Sequence, residues 1–151
     1  MVLVLPLTPP ALDATFHRSR WTAHLTVLSN FTTSLMPGDV LDRLKPAIRS
    51  AEPVRGIVGE DAQFGPDGSV RVQLIHSPAA EALHTILVDA LHEVVTLEAP
   101  GFARTGFRPH VTVGREHELR PGDSLTLPEI TLADLRDEIA HVSWTQKLGQ
   151  A

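Results

Sequence analysis

The chain has 151 residues, a formal net charge of −5, 42% hydrophobic and 21% charged residues, and no cysteine. Such a length and balance suit one globular domain with a sizeable core and exclude a disordered chain; the missing thiols exclude disulfides, thiolate nucleophiles and cysteine-held zinc or iron–sulfur sites. The acidic total argues against binding long duplex nucleic acid, which needs clustered cations, and no stretch reaches the roughly 20 apolar residues of a membrane span.

In chain order, the apolar run Val2 to Leu5 reads as a buried strand, ended by Pro6 and by Pro9-Pro10. A polar stretch with His17, Arg18 and Arg20 follows, and its two arginines are read as solvated surface residues. Trp21 to Leu28 has the Thr and Val content and near-alternation of a second strand. After Pro37-Gly38, Asp39 is the expected N-cap of a helix whose apolar positions are Val40, Leu44 and Ile48, with Pro46 expected to kink or divide it.

Val54 to Val58 and Ser69 to Ile75 read as strands of a hairpin turned at Gly65-Pro66-Asp67-Gly68. The clearest helix comes next. Ser77 is its N-cap, Pro78 its first residue, and Leu83, Ile86, Leu87, Ala90, Leu91 and Val94 its apolar stripe. Phe107 to Val113, Leu125 to Leu132 and His141 to Leu148 read as further strands. Strands alternating with two helices, then strands, predict an α+β fold, treated as one domain over residues 1–151.

Two heptapeptides echo each other: Trp21-Thr22-Ala23-His24-Leu25-Thr26-Val27 and Phe107-Arg108-Pro109-His110-Val111-Thr112-Val113. Eight histidines and thirteen threonines give about 0.7 His-x-Thr triplets by chance, so the triplets alone carry little. Their shared setting carries more: an aliphatic residue between, Val after, an aromatic three before, and strand-like sequence both times. In a strand, residues i and i+2 share a face, so each motif sets an imidazole beside a hydroxyl.

The paired His-Leu-Thr-Val and Pro-His-Val-Thr-Val resemble the signature of the two-histidine (2H) phosphoesterase superfamily. That superfamily includes bacterial 2′-5′ RNA ligase-like proteins and cyclic nucleotide phosphodiesterases. The resemblance covers most of the chain and is most specific over Phe107 to Arg115. It implies two pseudo-symmetric α+β lobes of antiparallel sheet with outer helices, facing a central cleft. It further implies a metal-independent, cofactor-free phosphodiesterase acting on 2′,3′-cyclic phosphates or short RNA-type diesters, with His110 activating water and His24 protonating the leaving ribose oxygen. The expected partner is a small nucleotide or RNA end, and the expected state is a cytoplasmic monomer away from membranes.

The chemistry agrees with that reading, because imidazole is the side chain whose ordinary pKa allows one neutral and one protonated copy near pH 7. Thr26 and Thr112 would donate hydrogen bonds to non-bridging phosphate oxygens, and Arg108 and Arg115 are candidate phosphate contacts. Both tryptophans read first as core residues, with Trp144 the candidate for base stacking. His84 and His92, eight apart on a helix, lack metal-ligand spacing and are assigned to the surface or an interface, as are His17, His76, His117 and His141. Two further readings stay open: a hydrolase of cyclic di- or oligonucleotide signals, and a non-catalytic nucleotide- or RNA-end-binding module. A structural protein with accidental motifs would place the two histidines far apart.

Overall fold

The computed structural model describes residues 1–114 and 119–149. Its strands are β1 (Val2–Pro6), β2 (Thr15–His17), β3 (His24–Leu28), β4 (Phe31–Thr33), β5 (Val54–Phe64), β6 (Val70–His76), β7 (Val95–Leu97), β8 (His110–Thr112), β9 (Ser124–Leu127), β10 (Glu129–Arg136) and β11 (Ile139–Lys147), with helices α1 (Pro37–Ser50) and α2 (Pro78–Leu91). Nine strands form one sheet in the order β2-β11-β10-β1-β3-β8-β6-β5-β9, and β4 pairs with β7 apart from it. Every pairing among the described residues is antiparallel. The fold is α+β, and the two expected lobes are the two flanks of one continuous sheet, meeting where β3 adjoins β8.

Alternation along β1 decides which side of the sheet becomes which. Leu3 and Leu5 join the main core with Val40, Leu44 and Ile48 of α1 and Ala80, Leu83, Leu87, Val88 and Leu91 of α2. Val2 and Val4 point the other way and meet Ala133 in a small second cluster covered by Trp21 and Leu135. Both helices therefore cover one face of the sheet and leave the other for the cleft. Burying each large aliphatic side chain contributes about 1.5–3 kcal/mol, so this single helix-facing layer carries most of the stability.

Helix α2 starts as its sequence predicts: the Ser77 hydroxyl accepts the Ala80 amide and Pro78 occupies the first turn. Its stripe is rotated from the expected one, however. His84 and Val88 are buried, whereas Ile86 is 45% exposed. Helix α1 differs too, since it begins at Pro37 after Met36, and Asp39 lies inside the first turn rather than capping it. Pro46 neither divides nor ends α1. It sits on the exposed side, so the carbonyl it leaves unpaired faces water while the Val40, Leu44, Ile48 stripe stays packed.

Several strand boundaries also move. The hairpin turn falls at Gly65 to Gly68, both glycines having positive φ (90° and 68°), but β5 runs on to Phe64 rather than stopping at Val58. Pro128 separates β9 from β10 within the expected Leu125 to Leu132 strand. No described helix is long and apolar enough to cross a membrane.

Candidate functional site

Strands β3 and β8 lie side by side at the middle of the sheet, with Leu25 registered against Val111. Both of these aliphatic side chains belong to the main core on the helix side. Their neighbours must therefore project from the opposite face. Continuing the antiparallel register by one residue each way sets His24 across from Thr112, and Thr26 across from His110. On such a pair, directly opposed Cβ atoms stand about 4.5–5.5 Å apart and diagonal positions about 7–8 Å, so the two imidazoles occupy one diagonal and the two hydroxyls the other.

All four side chains line one cleft of about 1410 Å³. Its described lining includes three arginines (Arg18, Arg20 and Arg108) and no aspartate or glutamate. In a chain of net charge −5, the described lining is thus locally basic, although Arg18 also pairs with Glu138 at 3.9 Å.

The two histidines are held alike. His24 Nδ1 bonds the Thr22 carbonyl at 2.8 Å, and His110 Nδ1 bonds the Arg108 carbonyl at 2.8 Å. A carbonyl only accepts, so Nδ1 carries the proton on both rings and Nε2 is the nitrogen left to exchange one. Both pKa values lie below the ordinary imidazole value. For His24, burial is the main cause, opposed by the Thr22 bond and aided by repulsion from His110. For His110, burial again leads, opposed by the Arg108 carbonyl and aided by the Arg108 charge. The effect of His110 on His24 is itself a sign that the rings share one electrostatic neighbourhood.

Their aromatic neighbours differ in origin. Trp21, from the same segment, lies against His24 with ring centroids 4.4 Å apart. At His110 the neighbour is Phe64, from the far end of β5, edge-on at 4.6 Å. The Arg108 guanidinium stands 5.1 Å from the Phe64 centroid, a cation–π distance. Phe107, three residues before His110 as Trp21 is before His24, instead stacks on His84 at 4.0 Å and 8°.

The structure thus gathers His24, Thr26, His110, Thr112 and Arg108 in one cleft. Arg115 lies outside the described residues, as does His117. Trp144 is elsewhere: its cross-strand partner is Leu132, which faces the helices, and Trp144 packs against the main core. The base-stacking assignment for Trp144 is therefore corrected. One other reading changes: His84, assigned to the surface, is 2% exposed. Trp21 packs against the small second cluster and Arg18 and Arg20 are exposed, as their sequence suggests, and all three also border the cleft. Phe64 is a contributor missed altogether; extending the β5 pattern through Asp61-Ala62-Gln63-Phe64 to the Gly65-Pro66 turn is the signal that reaches it. Among the described residues no cluster of three or more His, Cys, Asp or Glu is arranged to hold a metal.

A profile of the 2′-5′ RNA ligase superfamily matches residues 10–145. The chain belongs to the 2′-5′ RNA ligase superfamily. Its members are phosphoesterases or ligases, so the chain falls in the phosphoryl-transfer class. Among solved structures, TT0787 of Thermus thermophilus is similar, with a TM-score of 0.54 and 17% identity over 85% of this chain and 79% of that one. At that identity the likeness speaks for the shared fold alone. No curated protein matches the chain.

Proposed function

We propose that the chain is a phosphodiesterase in which His24 and His110 act as a metal-independent acid–base pair on a 2′,3′-cyclic phosphate or short RNA-type diester. The observation that carries this reading is the seam itself: two His-x-Thr segments on adjoining strands, both imidazoles tied through Nδ1 and lining one cleft with no acid among its described lining residues.

In the proposed cycle the scissile phosphate sits among the four side chains. Thr26 and Thr112 hydroxyls, with Arg108, donate to its non-bridging oxygens, where charge builds up in the transition state. By the pattern of the resembling superfamily, His110 Nε2 takes the proton from water and His24 Nε2 delivers one to the departing ribose oxygen; His110 is the more open of the pair. A bound phosphodiester anion offsets the burial that depresses both pKa values and keeps one proton on the pair. Superfamily membership supports chemistry at phosphorus, and the direction proposed here is hydrolysis.

The cleft volume of about 1410 Å³ exceeds the roughly 300–1,000 Å³ of an ordinary small-molecule site. That observation favours a short oligonucleotide or a cyclic di- or oligonucleotide over a lone mononucleotide. A panel of 2′,3′-cyclic mononucleotides, short 2′-5′ and 3′-5′ oligonucleotides and cyclic dinucleotides, assayed with and without chelator, tests the reading. Turnover of at least one class, undiminished by chelator, is expected. Tight binding with no product from any of them would favour a non-catalytic binding module, and loss of turnover in chelator would put a metal in place of the histidine pair.

A further inference from the structure

His84 takes no part in the chemistry above, yet its imidazole is more fully engaged than that of any other described histidine. Its Nδ1 bonds the carbonyl of Val27, the residue after Thr26 on β3, at 2.7 Å. Its Nε2 accepts the Arg104 amide at 2.9 Å. Phe107 lies flat against the ring at 4.0 Å. A carbonyl cannot donate and an amide N–H cannot accept, so these partners together admit only the neutral ring with its proton on Nδ1.

These contacts join α2 to both motif-bearing segments. Val27 belongs to the strand bearing the first motif, and Phe107 leads through Arg108 and Pro109 to the second. Arg104 opens the short 3-10 turn between them, with φ at 54° and its guanidinium on Asp89 of α2 at 3.0 Å. Helix α2 thus grips this turn at two points. Strand β8 is only three residues long; three registered pairs join it to β6 but one joins it to β3, so backbone pairing is sparse across the seam itself. The His84 ring spans the gap by side-chain bonding.

We propose that His84 is a positioning residue that ties β3 to the 104–107 segment and thereby sets where His110 stands relative to His24. Its kinetic arm rests on the phosphodiesterase reading, so the test has a second arm that does not. His84→Asn retains an amide near the Nδ1 position for Val27 and loses the acceptor for Arg104. His84→Gln reaches the Nε2 position and retains that acceptor.

With the full chain well below each variant's melting temperature, His84→Asn is expected to lower kcat on the best-cleaved diester by about 10- to 100-fold, the cost of a small misplacement of reacting groups. KM should change little, and His84→Gln, which keeps the Arg104 end but gives up the Val27 end, should lower kcat as well. Parent-level turnover in both variants would overturn the proposal. The second arm is 15N NMR of the histidine- and valine-labelled chain without substrate: the His110 ring signals and the Val111 amide should shift in both variants. Unmoved His110 signals overturn the proposal whatever the kinetics. Shifted signals in a parent that cleaves no phosphodiester would uphold the link and overturn the activity reading instead. If the buried substitutions leave no folded protein, Phe107→Leu removes the stacked partner and is read on the same signals: a shift of His110 upholds the link, and none overturns it.

Discussion

The two His-x-Thr segments are near copies in sequence and unequal in structure. The first is part of a five-residue strand registered at four positions with β1, whose own residues are buried throughout. Its aromatic, Trp21, lies against its histidine. The second is a three-residue strand whose aromatic, Phe107, turns away to His84 while Phe64 arrives from a distant hairpin to fill the place. A short motif can thus fix the alternation of side chains without fixing what surrounds them. Both histidines are registered against a neighbouring strand, but the first takes its aromatic from its own segment and the second from a distant hairpin.

The strongest way to break this comparison is to remove each histidine in turn. His24→Ala and His110→Ala should each lower kcat/KM by about 10²–10⁴-fold, the usual worth of a general acid or base. If either variant cleaved the best diester at the parent rate, the acid–base pair would be lost as an explanation. Next in size are the hydroxyls. Thr26→Ala and Thr112→Ala should each cost about 1.5–3 kcal/mol in the transition state, the scale of a hydrogen bond to a charged group. Similar losses would mean the seam is functionally symmetric, and a loss at one position alone would show that a single hydroxyl meets the reacting oxygens.

The pH dependence sharpens the same comparison. Both histidines have pKa values held below the ordinary imidazole value of 6.5, chiefly by burial. The proposed cycle needs one neutral and the other protonated, so both limbs of the kcat/KM profile, which reports the free enzyme, should lie on the acid side of that value. Substrate anion raises both values, so the kcat profile should shift towards higher pH. Smaller still is a stability effect. His24, His84 and His110 are all depressed in the folded chain. The unfolded chain takes up protons first as pH falls through about 6.5, and it then binds more of them than the folded one. Thermal unfolding should therefore move to lower temperature below that pH, and the acid sensitivity should weaken in His84→Gln.

The parts of the site legible in the sequence are those set by period two. His24 with Thr26 and His110 with Thr112 follow from strand alternation alone, and Ser77-Pro78 marks the α2 start through local capping chemistry. What stays hidden depends on chain neighbours far apart in number. Phe64 meets His110 across 46 positions, and His84 meets Val27 across 57. No local pattern encodes such meetings. Trp144 misleads because its polar flanks resemble an exposed strand, whereas the pairing of β11 with β10 turns its ring towards the helices. Pro46 misleads because the rule against proline in a helix applies most strictly where the freed carbonyl has no water to turn to.

The register of Leu25 with Val111 has one more consequence. Each histidine lies opposite the threonine of the other motif, not its own, so the working contacts are shared across the seam. A chain cut between α2 and β8 would leave two pieces that each carry a whole signature and neither of the opposed pairs. An insertion of one residue into either strand would turn one histidine towards the helices.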